Sequence, residues 1–288
     1  GACDMKSAIA AFISASTKYL ESYKPDGSIV LAITGDEEGK AKDGTLAIID
    51  WMTDNQEHID HCLIGEPTSR IRLGDTLKIG RRGSLTVNFT VVGIQGHVAY
   101  IDRANNPLTA LTNLLVELTK KPLDGGTNEF DPSSLVITTI DTGNPAANII
   151  PETGKATINI RFNNLQSPES LLKWLEREIS LIENKYGVGI TITSNISALP
   201  FLSPPGEFSH LVATTIRDEL DFKPETSTSG GTSDARFMQK LCPVIEFGLV
   251  GSSMHKINEN VQTSQIIELT RLYQKLLENY FKTFSGKA

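Results

Sequence analysis

Apolar positions recur along this chain with two different periods, and the change from one to the other divides it. From about Met5 to Leu20, the residues Ile9, Phe12, Ile13 and Leu20 return at helical spacing, which predicts an amphipathic helix with Asp4 at its N-cap position. A dense run, Ile29 to Ile33, reads as a strand buried on both faces and leads into Gly35-Asp36-Glu37-Glu38-Gly39. A helix is expected from about Gly44 to Met52. A second short buried strand, about Cys62 to Ile64, ends in Gly65-Glu66-Pro67-Thr68. Two buried strands that each deliver carboxylates predict an α/β sheet with its site at the carboxyl ends of the strands.

Near Gly83 the period becomes two. Leu85, Val87, Phe89 and Val91 alternate with Ser84, Thr86, Asn88 and Thr90, as in a strand with one wet face. A helix is expected from Pro107, with Leu108, Leu111, Leu115 and Leu118 as its stripe, then strands at about 135–140 and 156–162. Ser167-Pro168 predicts a capped helix start, and a last strand is expected at about 188–193. The order β-α-β-β-α-β is that of a ferredoxin-like unit. After about residue 196 the first texture returns, with helices near 207–219 and 233–240, a buried strand Val244 to Phe247 and a long helix from about Ser264. The expected architecture is a discontinuous α/β catalytic domain, 1–82 and 196–288, interrupted by a ferredoxin-like (βαββαβ) lid or dimerisation domain at 83–195.

Composition narrows the function classes. The 288 residues suffice for a sizeable core, and 39% hydrophobic with 21% charged residues is ordinary for a globular protein. A formal net charge of −7 leaves no basic excess to displace counterions, which argues against nucleic acid as a partner. No apolar run is long enough to span a bilayer, and no signal peptide is visible, so no membrane role is expected. Cys3, Cys62 and Cys242 are too few and too scattered for a disulfide framework, and reduced thiols in a cytoplasmic protein are expected.

The candidate chemistry lies at the strand ends. Three adjacent carboxylates, Asp36, Glu37 and Glu38, repel one another, so they form either a solvated acidic loop or part of a cation site. Glu66, Asp4 and His255, the last reached by a short Gly/Ser loop after Val244–Phe247, tilt the reading toward a hydrolytic zinc or manganese centre. Such a centre needs ligands and one unligated acid to take a proton from water, a division of labour suited to two adjacent glutamates. Arg161 shares the polar side of its strand with Asn159, where it is either a fork for a carboxylate or a surface ion pair. Arg81 and Arg82 either bind substrate or pair with acids across a hinge. The glycines of Ser229-Gly230-Gly231-Thr232 free backbone N–H groups to face an anion. His58, His61 and His210 are read as structural.

GACDMK, GDEEG, GEPT, GRRGS, GIQGHVAY, ANIIP, STSGGTSD and MHKINE stand in the order seen in the M20 metallopeptidase family, which the chain resembles over essentially its whole length. The resemblance implies a zinc-peptidase-like α/β fold. It also implies two Zn²⁺ per subunit, or Co²⁺, with Asp4 bridging, Glu38 and His255 completing one site, Glu66 in the other, and Glu37 as general base. His97 is implied to cross a homodimer and stabilise the oxyanion of the partner's site. Asn148, Arg161 and the Thr228–Thr232 loop, with Ser229, Gly230, Gly231 and Thr232, are implied to contact substrate, and Arg81 is kept beside them as a candidate contact. GRRGS with STSGGTSD and NEFDP is nearest to members that hydrolyse N-succinyl-LL-2,6-diaminopimelate to succinate and LL-2,6-diaminopimelate, in the bacterial cytoplasm. The alternatives are a sister deacylase of the acetylornithine type and a catalytically silent fragment that dimerises. Ser7 departs from the family's usual glycine, and no HxD motif stands ahead of Asp4, so the second metal site is expected to lack a histidine.

Overall fold

The computed structural model describes residues 1–39 and 41–286, which form two compact units. The first comprises Gly1–Arg81 and Leu202–Ala288, the second Arg82–Phe201.

In the first unit, helix Ser7–Ser22 packs along the long helix Thr263–Phe284. The buried face is Ala8, Ala11, Ala15 and Tyr19, because small side chains let two helices approach closely. This corrects the predicted face: Ile13 and Leu20 are exposed, and Ile9 and Phe12 line a cavity. Asp4 does not cap this helix either. Lys6 holds the N-cap position, and Asp4 sits in a preceding wide turn with φ −119° and ψ 92°. Beside the helices lies a sheet of four short strands in the order Cys62–Ile64, Val244–Glu246, Thr76–Lys78, Glu225–Ser227. The first and last pairs are parallel and the middle pair antiparallel. Tyr273 ties sheet to helices: its ring meets Phe12 and Phe247 edge-on, and its hydroxyl donates to the Phe247 carbonyl at 2.6 Å.

Two strand expectations need correction. Ile29–Ile33 joins no ladder among the described residues, and Val30, Leu31 and Ile33 are 64%, 45% and 55% exposed. An apolar run becomes a buried strand only when neighbours pair both its edges. Cys62–Ile64 is a strand but only half-buried, since it lies at the edge of its sheet. The helix expected at 233–240 is confined to Ala235–Met238.

In the second unit, Gly83–Val92 pairs antiparallel with Thr153–Phe162 on one side and Gly189–Ala198 on the other. Ser134–Asp141 adds outside Thr153–Phe162. Leu85, Val87, Phe89 and Val91 face helices Pro107–Thr119 and Pro168–Tyr186 in one hydrophobic core. Ser167 and Ser170 form a reciprocal capping box at the second helix. The opposite face is polar. Asn159 donates to Thr86 Oγ1 at 3.0 Å and Thr157 to Asn88 Oδ1 at 2.9 Å, and Arg161 continues this row.

Candidate active site

Three residues far apart in sequence meet in the first unit. His255 Nε2 lies 2.9 Å from Glu38 Oε1 and 3.2 Å from Asp4 Oδ2, and one ligand atom from each residue lies within 4.8 Å of the others. The chain reaches His255 through the short turn Gly251–Ser253, and His255 itself adopts the left-handed region at φ 57°. Asp4 is held from behind. Glu259 Oε1 accepts the main-chain N–H groups of Cys3 at 2.6 Å and Asp4 at 2.8 Å. The acidic triplet divides its work. Asp36 Oδ2 accepts the N–H groups of Lys42 and Asp43, which shapes the turn, whereas Glu38 faces His255.

Glu37 and Glu66 line a cavity of about 640 Å³ together with Asp4, Glu38 and Asp234. Burial pushes Glu37 up to about 7, with Asp234 and Glu38 adding to it. Burial pushes Glu66 up to about 8, with Glu246 and Asp4 adding to it. Asp4 is also raised, by burial and then by Glu38. Acids crowded this way favour protons or a divalent cation, either of which neutralises them. Two carboxylates and an imidazole are a donor set that suits zinc and other first-row ions. Glu66 shares the cavity but stands outside the three-residue group. Gly248 lets the Glu66 turn lie against the next strand end, since a Cβ there would sit 2.6 Å from the Gly65 carbonyl oxygen.

Arg81 is buried and bonded to an acid of its own unit. Its Nε donates to both Glu246 oxygens at 3.0 Å, its Nη2 also meets Glu246, and its Nη1 donates to the Gly231 carbonyl at 3.2 Å. Ser233 donates to Glu246 at 2.6 Å. Lys78 donates to Ser229 at 2.7 Å and to Ser227 at 3.1 Å. The loop carrying Ser229, Gly230, Gly231 and Thr232 is therefore fixed at both ends, with Gly230 at φ 104°. Lys78, Glu246, Asp234 and Glu259 were not singled out from the sequence. The signal available for the first two was a charged residue inside an apolar run, Leu77-Lys78-Ile79 and Val244-Ile245-Glu246-Phe247.

In the second unit His97 is exposed on the two-residue strand Gly96–His97, paired with Ile149–Ile150. Ala99 N–H donates to His97 Nδ1 at 3.1 Å, which leaves Nε2 as the protonated nitrogen of the neutral ring. Exposed Asn148 lies alongside, its carbonyl accepting the Val98 N–H at 3.1 Å. Arg161 is half-buried, its pKa lowered by burial and then by Arg82.

Residues 1–279 match peptidase family M20/M25/M40. The chain is 52% identical over 281 residues to a succinyl-diaminopimelate desuccinylase of Cereibacter sphaeroides (strain ATCC 17025 / ATH 2.4.3), covering 98% of this chain and 74% of the relative. It is 50% identical, with the same coverage, to a succinyl-diaminopimelate desuccinylase of Roseobacter denitrificans. Among solved structures, aminopeptidase PepT from Bacillus cereus superposes with a TM-score of 0.77 at 17% identity, over 96% of this chain and 71% of that one. Human carnosine dipeptidase 1 superposes with a TM-score of 0.74 at 17% identity, over 98% and 72%. Sequence and fold thus agree, and the chain belongs to peptidase family M20/M25/M40, whose members are metal-dependent hydrolases.

Proposed function

We propose that this chain hydrolyses the amide of N-succinyl-LL-2,6-diaminopimelate to succinate and LL-2,6-diaminopimelate, as the names of its relatives suggest. The observation that carries the reading is Glu37, a half-buried carboxyl near 7 beside the group Asp4, Glu38 and His255. A general base works best with a pKa near the operating pH. Asp4, Glu38 and His255 would hold one zinc ion, and Asp4 with Glu66 would offer two carboxylates to a second; Co²⁺ suits the same donors. A bound ion supplies Lewis acidity that polarises the amide carbonyl and acidifies water. Glu37 takes a proton from the attacking water as the water oxygen bonds to the carbonyl carbon. On collapse the C–N bond breaks and its electron pair stays on nitrogen, which receives the proton back from Glu37. The second proton of the water completes the ammonium group, and the acyl carbon departs as a carboxylate.

We assign the unit Arg82–Phe201 as a ferredoxin-like lid and homodimerisation domain, a reading supported by its four-stranded antiparallel sheet with two helices on one face. His97 would serve the partner's site, its Nε2–H aimed at the oxygen where negative charge develops. Asn148, Arg161 and the Ser229–Thr232 loop would hold the polar ends of the substrate, with Arg81 fixing that loop through Gly231. The enzyme would work in the bacterial cytoplasm. The test is succinate release by the zinc-loaded chain against Glu37→Gln. A loss on the order of 10²–10⁴-fold in kcat is expected. Undiminished turnover removes Glu37 from this role.

A further inference from the structure

Two arginines of the second unit, Arg82 and Arg161, form no ion pair with a carboxylate among the described residues. They lie at one end of the polar sheet face. Arg161 stands opposite Ser84 on one side and Ser134 on the other, and Arg82 Nη1 reaches Ser134 Oγ at 3.4 Å and the Pro132 carbonyl at 3.1 Å. Each guanidinium keeps a buried nitrogen without a partner among the described residues, Nε in Arg82 and Nη1 in Arg161.

The charge that acts on Arg161 is that of Arg82, and no acid among the described residues offsets it. Elsewhere this chain supplies such an acid. Arg81, one residue before Arg82, has Glu246. Burying a donor without a partner costs on the order of 1–3 kcal/mol, and two cations side by side add repulsion. A structural role for Arg82 accounts for Nη1, which bonds the Pro132 carbonyl, but it leaves the repulsion unexplained. A carboxylate answers the repulsion, because its two oxygens accept from the reachable N–H groups of two guanidinium forks and its charge separates the cations.

We propose that Arg82 joins Arg161 in a two-armed carboxylate site, and that Arg82 makes the enzyme prefer an acyl group ending in a carboxylate over one ending in a methyl. Arg161 is already among the proposed substrate contacts; Arg82 as the second arm is new. The preference rests on the desuccinylase reading, whereas carboxylate binding does not.

Calorimetric titration of the zinc-loaded chain with succinate and with acetate, at low salt, tests the site. Succinate is expected to bind more tightly than acetate. Arg82→Gln is expected to weaken succinate at least about tenfold, with Arg82→Lys falling between it and the parent. In turnover, the ratio of kcat/KM for succinyl over acetyl substrates falls by a similar factor, mainly through KM. Circular dichroism melting of both variants separates loss of the site from loss of the fold. If Arg82→Gln is folded and binds succinate as the parent does, the proposal is overturned. Arg82-dependent succinate binding without hydrolysis of any succinyl substrate keeps the site and removes the desuccinylase reading.

Discussion

Glu37 and Glu38 are neighbours in sequence with different surroundings. Both line the cavity, but Glu38 is exposed and hydrogen-bonded to His255, whereas Glu37 is half-buried beside Asp234. Adjacent residues in a tight turn diverge in direction, so one loop provides both a candidate ligand and a candidate base. The less visible residue is Glu259. It touches no candidate ligand side chain, yet it holds the main chain at Cys3 and Asp4. Groups that orient ligands typically matter 10–100-fold for metal affinity. Glu259→Ala is therefore expected to weaken zinc binding by about 10–100-fold in chelator competition. Glu259→Gln retains an accepting oxygen and should recover part of the loss. Parent-like affinity in the alanine variant would assign Glu259 no positioning role.

Among elements, the strand Val244–Glu246 presents a charge where its neighbours are apolar. Glu246 is 1% exposed and answers Arg81 and Ser233. Removing one partner of a buried ion pair leaves the other charge uncompensated. Glu246→Ala is thus expected to destabilise the first unit by about 3–5 kcal/mol in urea unfolding. Replacing both residues by apolar ones, Glu246→Leu with Arg81→Met, should restore most of the stability but release the Gly231 loop. A double variant as unstable as the single one contradicts this account. Local signals were enough for other elements. The alternation Leu85, Val87, Phe89, Val91 is the buried side of its strand, and Ser167-Pro168 is the start of its helix. Both are settled by nearest neighbours in the chain. Ile29–Ile33 had an equally strong apolar signal and forms no ladder among the described residues, because a strand depends on partners that its own residues do not specify.

At the scale of the whole molecule, acids outnumber bases, and Asp4, Glu37, Glu38, Glu66 and Asp234 line one cavity. Glu37 near 7 and Glu66 near 8 both titrate above the ordinary carboxylate value in the fold. Between about 4.3, the ordinary glutamate value, and those raised values, the folded chain holds protons that the unfolded chain has released. Stability of the metal-free protein must then fall as the pH rises through this window. Its melting temperature is expected to be higher at pH 5.5 than at pH 8. Zinc replaces the protons, so the metal-loaded protein should lose this trend. Scanning calorimetry with and without a chelator reads both, and a metal-free melting temperature that rises toward pH 8 would refute the assignment of these shifts.

The sequence by itself determined the mixed α/β character, the alternation of the second unit's strands and, through its motifs, the family. Those properties reside in short windows where side-chain period and capping chemistry decide the outcome. Tertiary structure decided which face of Ser7–Ser22 is buried, because that depends on how closely Thr263–Phe284 approaches its alanines. It also decided that Asp4, Glu38 and His255 meet, and that among the described residues Arg81 has an acid while Arg82 and Arg161 do not. Proximity between residues as distant as Asp4 and His255 is a property of packing, and no period along the chain encodes it.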